Sequence, residues 1–123
     1  MSARVLLVED EGLIRMITAE YLEEEGFTVV EACDGDEAVR LLNERGPFDV
    51  LFTDVQMPGT MDGLAVATHV RKRYPTIPVL VVSGYAAQLT IRLNTLDPPA
   101  VFLGKPYVME DVVAALRRLT ASA

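Results

Sequence analysis

No apolar run in this 123-residue sequence is longer than a strand, whereas a membrane span needs about 20 consecutive apolar residues. A secretion signal is also missing, because Arg4 is followed by only four apolar residues before Glu9. Cysteine is almost absent: Cys33 stands alone, so no internal disulfide forms and a cytoplasmic location is expected. Cys33 itself is expected to pack as a small hydrophobe. The single histidine, His69, has no acidic or phosphate motif around it and reads as a helix-surface residue. Basic charge is scarce, with 11 Lys and Arg against 18 Asp and Glu and a net charge of −7. That balance argues against direct DNA binding, which needs a basic face to neutralise phosphates. The two basic clusters, Arg71 to Arg73 and Arg117 with Arg118, are expected as solvated helix ends that complement the helix dipole. Repeats, low-complexity tracts and linkers are missing too, so residues 1–123 are expected to form one domain.

What is present is an alternation of strand and helix patterns, five times over. The strand candidates are VLLV (5–8), TVVEA (28–32), VLFT (50–53), VLVV (79–82) and AVFLG (100–104). Most are continuously apolar, as expected of a parallel sheet covered on both faces. Between them, Ile14, Ile17, Thr18, Tyr21 and Leu22 predict one face of a first helix, stopped by Gly26. Ala38, Leu41 and Leu42 mark a second helix, and Leu64, Ala67 and Val70 a third. Ala86, Leu89 and Leu93 suggest another, ended by Asp97, Pro98 and Pro99. Met109, Val112, Val113, Leu116 and Leu119 line the last. Half of the residues are apolar, enough for one core. The expected fold is a doubly wound α/β domain with right-handed crossovers.

In such a sheet the ligand site lies beyond the carboxyl ends of the strands, where the strand order reverses. The first run leads into Glu9 and Asp10, the third into Asp54, the fourth into Ser83, and the fifth into Lys105 and Pro106. Three carboxylates, a hydroxyl and an ammonium are therefore expected at one edge. Crowded carboxylates raise one another's pKa unless a cation sits among them, and hard oxygen ligands suit Mg²⁺ or Mn²⁺. Lys105 suits a phosphate as a compact positive charge, and Ser83 can donate to a phosphoryl oxygen. Asp54, alone at the end of a central strand, is the candidate nucleophile for an acyl phosphate.

VLLVEDE (5–11), TDVQMPG (53–59), VVSGYA (81–86) and FLGKPY (102–107) together resemble the receiver domain of two-component response regulators across essentially the whole chain. The resemblance implies a five-stranded parallel (βα)5 sheet, flavodoxin-like, with strand order 2-1-3-4-5. It implies that Asp54 accepts phosphate, in a Mg²⁺-dependent self-catalysed reaction, from a phosphohistidine on a histidine kinase or histidine phosphotransfer protein. Asp10 and Asp54 would bind the metal, Glu9 largely through water, and the backbone carbonyl of Gln56 would add a ligand. Lys105 and Ser83 would hold the phosphoryl oxygens, Gly84 would leave the donor an open approach, and Pro106 would follow a cis bond. Ser83, Phe102 and Tyr85 are the switch candidates, with Tyr107 as a further one, and Ala87 and Ile91 are candidate contacts for a downstream protein partner.

Two departures from the usual pattern stand out: the loop MPGTMDG (57–63) is one residue longer, and Phe102 lacks the hydroxyl a tyrosine would carry. The sequence stops just after the last helix, so a stand-alone receiver is expected, acting only on itself and reading out through a protein contact or onward phosphotransfer. One alternative is a metal-dependent phosphatase with an aspartyl intermediate. Such families carry a second Asp two residues after the nucleophile, and Gln56 stands there. The other is a binding module that is never phosphorylated. A nucleotide carrier would need a Gly-rich loop after the first strand, where EDEGL is found.

Overall fold

The computed structural model describes residues 2–57, 61–84 and 96–121. Five parallel strands, β1 (Arg4–Val8), β2 (Thr28–Ala32), β3 (Val50–Asp54), β4 (Val79–Ser83) and β5 (Val101–Gly104), form one sheet in the order β2-β1-β3-β4-β5. Four helices are described: α1 (Gly12–Glu24), α2 (Gly35–Arg45), α3 (Gly63–Arg73) and α4 (Met109–Thr120). The helix expected around Ala86 to Leu93 lies outside the described residues. None of the described helices is long and apolar enough to cross a membrane.

Strand alternation divides the core into two halves. Leu6, Val8, Leu51, Val79 and Val81 face α2 and α3, meeting Ala38, Leu41, Leu42, Val66, Ala67 and Val70. Val5, Leu7, Val50, Phe52, Leu80 and Val82 face the other way, meeting Ala19 and Leu22 of α1 and Val112, Val113 and Leu116 of α4. The sheet is thus buried on both faces, the physical reason its strands read as unbroken apolar runs.

Local signals fix the helix ends. Asp34 accepts the Glu37 N–H at 2.8 Å, while Glu37 accepts the Cys33 N–H at 2.7 Å, a reciprocal cap on α2. Asp62 accepts the Ala65 N–H at 2.8 Å and starts α3. Gly26 ends α1 with a φ of +100°, a conformation that other residues adopt only with strain.

Three sequence expectations need correction. On α1, Thr18 and Leu22 turn inward as expected, but Ile14 and Ile17 are 42% and 56% exposed. Small Ala19 takes their place against the sheet, so the inward stripe is rotated by about one residue step, ~100°. Cys33 is exposed at the turn between β2 and α2, because Ala32, its neighbour in the alternation, takes the inward position. Arg71 is not a solvated helix end: it is buried, donating Nε to the Ile77 carbonyl at 2.7 Å and Nη1 to the Pro98 carbonyl at 2.6 Å. His69 is exposed on α3, as expected.

Candidate functional site

Asp54 closes β3 and is only 4% exposed. Both carboxylate oxygens are engaged: Oδ1 accepts the Gln56 N–H at 3.0 Å, and Oδ2 accepts Lys105 Nζ at 2.5 Å. The Thr53 hydroxyl, fully buried, donates to the Asp54 carbonyl at 2.9 Å and stiffens the strand end. Lys105 follows β5, and its own N–H donates to the Ser83 carbonyl at 2.9 Å. Ser83, 1% exposed, ends β4 level with Gly104. The strand registers therefore bring Asp54, Ser83 and Lys105 together from β3, β4 and the end of β5.

Glu9 follows β1 and is also buried, at 7%. Its Oε2 accepts the Glu11 N–H at 3.1 Å, its own N–H donates to Ala32 at 3.1 Å, and its carbonyl accepts Arg15 Nη1 at 2.8 Å. Burial raises the Glu9 pKa above the ordinary carboxylate range; the charges of Asp54 and Asp10 add to this, against the pull of the Glu11 N–H. Asp10, half-buried, is next in the chain. Burial acts to lower the Lys105 pKa, but the hydrogen bond and charge of Asp54, with Glu9, leave it raised. Lys105 is thus held as a cation by the carboxylates around it.

Beside Lys105 and Glu9 opens a cleft of ≈ 460 Å³, lined also by Ile14, Pro106 and Tyr107. The Lys105–Pro106 peptide is cis, as expected. Gly84 is exposed, and among the described residues a Cβ built there meets no atom within 4 Å. Phe102 is half-buried against the α2–α3 side of the core. Tyr107 is half-buried on the opposite side, its phenol pKa raised first by burial. Gln56 is exposed, with its backbone N–H bound to Asp54. Tyr85, Ala87 and Ile91 lie outside the described residues.

Sequence reasoning missed two contributors. Arg15 grips the Glu9 carbonyl from α1. Gly63 starts α3 so close to β3 that a Cβ would sit 2.0 Å from the Asp54 carbonyl oxygen. Arg15 belongs to no motif, and Gly63 closes the MPGTMDG loop without its spacing telling why; both act on backbone atoms.

The donors at this edge fit a hard cation. Among the described residues no three His, Cys, Asp or Glu side chains close into a metal cage. Mg²⁺ ordinarily takes one or two carboxylates and keeps several waters. Burial raises the Glu9 pKa first, and a cation among these carboxylates would offset both that burial and the added repulsion of Asp54 and Asp10.

The response regulator receiver domain family matches residues 5–117. The chain is 38% identical over 119 residues to the sensor kinase CckA of Brucella abortus, covering 96% of this chain and 12% of that protein. It is 36% identical over 114 residues to the transcriptional regulatory protein PdtaR of Mycobacterium tuberculosis, covering 92% of this chain and 54% of that one. The chain therefore spans about an eighth to about half of the length of these curated relatives. Among solved structures, the Vibrio cholerae chemotaxis protein CheY4 superposes with a TM-score of 0.87 at 29% identity, covering 97% of this chain and 99% of that one. The receiver domain of the hybrid histidine kinase CckA gives 0.78 at 33% identity, covering 95% and 98%. Together with the 2-1-3-4-5 sheet and the acidic edge, these matches show that the chain belongs to the response regulator receiver domain family of two-component systems.

Proposed function

We propose that Asp54 is the phosphoacceptor of a two-component phosphorelay and that the chain catalyses only its own phosphorylation and dephosphorylation. The observation that carries this reading is the buried Asp54 carboxylate at the end of β3, gripped by Lys105 Nζ beside a second, strained carboxylate at Glu9.

An Asp54 oxygen attacks the phosphorus of a phosphohistidine on a histidine kinase or histidine phosphotransfer protein. An O–P bond forms, the N–P bond breaks, and its electron pair leaves with the donor imidazole. Gln56 N–H fixes one Asp54 oxygen and so orients the carboxylate for attack. Lys105 passes its hydrogen bond from Asp54 to the incoming phosphoryl oxygens, and Ser83, one strand away, donates to another. Asp10, Asp54, the Gln56 carbonyl and, largely through water, Glu9 would hold Mg²⁺ or Mn²⁺, which would supply charge neutralisation on the phosphoryl oxygens. Catalysis here is positioning and charge neutralisation.

The acyl phosphate adds charge of about −2 beside Ser83 and Lys105, by analogy with phosphorylated hydroxyls. Its pull on the ends of β4 and β5 shifts a two-state equilibrium, with Phe102 and Tyr85 as the switch aromatics. A downstream protein partner reads that shift, and a cytoplasmic location belongs to the same reading.

The test is incubation with acetyl phosphate or phosphoramidate and Mg²⁺, followed by intact mass. A gain of one phosphate in the wild type, lost in Asp54→Ala, is expected. No gain from any donor, with steady turnover of an unrelated phosphoester, would replace this reading with a phosphatase. Mg²⁺ binding without any adduct would leave a binding module.

A further inference from the structure

We propose that Arg15 is a positioning residue for the metal-binding turn, acting on Asp10 through the Glu9 backbone. The proposal rests on the reading that Glu9, Asp10 and Asp54 serve a divalent cation. Arg15 lies in the first turns of α1 and reaches back across the end of the sheet. Its Nη1 donates to the Glu9 carbonyl at 2.8 Å, and its Nε pairs with Glu31 Oε1 at 3.3 Å. The planar guanidinium therefore ties the end of β1 to the end of β2 with two contacts in one rigid fork.

The atom gripped on β1 is what matters. The Glu9 carbonyl lies in the same planar peptide unit as the Asp10 nitrogen. Holding that oxygen fixes the plane from which the Asp10 side chain projects. On the preceding side, the Glu9 N–H is held by the Ala32 carbonyl at 3.1 Å. Without Arg15 that peptide plane is restrained only through its neighbours, the Glu9 N–H before it and the Glu11 N–H, held by Glu9 Oε2 at 3.1 Å, after it, and it can tilt, moving the Asp10 carboxylate with it. A divalent cation with strict octahedral demands tolerates such rotation poorly.

Arg15 is also a positive charge near a cation site, and as a charge alone it would oppose Mg²⁺. Its two possible effects therefore differ in sign. Removing a mere charge tightens Mg²⁺ binding; removing a positioning contact weakens it.

The experiment is calorimetric titration of metal-free protein with MgCl₂ alone, with far-UV circular dichroism and the metal-free melting temperature as fold controls. In Arg15→Met the dissociation constant for Mg²⁺ rises about tenfold, at the low end of the 10- to 100-fold typical of groups that orient metal ligands. Arg15→Lys, which keeps the charge and one contact, weakens binding less. Glu31→Gln leaves the Arg15 charge but loosens its anchor. Glu31 is 42% exposed, so a rise of about two- to threefold is expected from a partly exposed pair. Unchanged or tighter Mg²⁺ binding in Arg15→Met overturns the proposal. If that variant does not fold, unchanged binding in Glu31→Gln does so instead. Failure of the wild type to bind Mg²⁺ removes the metal reading itself, an outcome distinct from wild-type binding that the variants leave intact.

Discussion

Replacing Gly63 by alanine places a Cβ 2.0 Å from the Asp54 carbonyl oxygen, 2.8 Å from the Asp54 carbonyl carbon and 2.9 Å from the Val55 Cα. All three are backbone atoms, so no side chain can swing aside. Real Cβ atoms essentially never approach closer than 3.0 Å, so α3 must retreat from the end of β3 by at least about 1 Å. The retreat stretches the 2.9 Å hydrogen bond from Gly63 N–H to the Val55 carbonyl. Overpacking of this kind costs about 1–3 kcal/mol, and the weakened hydrogen bond adds up to about 1 kcal/mol. A loss of about 1–4 kcal/mol is expected, a large share of the roughly 5–15 kcal/mol that holds a domain folded. At this chain length it lowers the melting temperature by about 4–16 °C. Urea unfolding with circular dichroism measures it. Gly12→Ala is the control, since a Cβ there meets only the Arg15 side chain, at an ordinary 3.7 Å, and it should stay within about 0.5 kcal/mol of wild type. Gly63→Ala within 0.5 kcal/mol of wild type would refute the claim that backbone contact at the end of β3 demands glycine.

Arg71→Met removes the donor to the carbonyl of buried Ile77 and to that of Pro98, which lies at the surface; a loss of about 1–3 kcal/mol in urea unfolding is expected, and one below about 0.5 kcal/mol would show the clamp to be incidental. Ile17→Ser should change stability by no more than about 0.5 kcal/mol because Ile17 is 56% exposed, whereas a buried isoleucine would cost several times that. For Lys105 the folded pKa is raised, so its contribution is complete below the unfolded value of about 10.4 and is lost as pH rises through the folded value. In metal-free buffer the stability of wild type relative to Asp54→Asn should therefore hold level from neutral pH to about 10 and fall above about 10.4; a difference that stays level up to pH about 11.5 would count against the Lys105–Asp54 pair.

The sheet was legible because burial on both faces leaves its central strands β1, β3 and β4 all but unbroken in hydrophobicity. VLLV, VLFT and VLVV end in the structure within a residue of where their apolar runs end in the sequence. The acidic edge was legible for the same reason. Once the strands are parallel, whatever follows them shares one side of the sheet, and the 2-1-3-4-5 order sets the ends of β1 and β3 side by side. α1 was harder. Its sequence carries two overlapping stripes, one with large Ile14 and Ile17 and one with small Thr18 and Ala19 beside Leu22. Periodicity weights the larger side chains, while the sheet accepted the smaller ones because they allow closer approach.

The residues that sequence reasoning misplaced or missed share a physical cause. Arg71 reaches the carbonyls of Ile77 and Pro98, Arg15 reaches that of Glu9, and Gly63 lies against that of Asp54. Each contact ends on a backbone oxygen at the end of a strand or in a loop, where regular pairing stops and a carbonyl is left to be satisfied. Such an oxygen has no signature in the sequence, because every residue carries one. Which carbonyls remain open is decided only after the elements have packed. A long guanidinium that finds one stops behaving as a surface charge, and a glycine that meets one cannot be exchanged for alanine. Side-chain chemistry at the strand ends could therefore be read in advance. The backbone contacts that hold those side chains in place became visible only in the assembled fold, which is why Arg15 can bear on the site with no motif of its own and why Gly63 shows its role only against the Asp54 carbonyl.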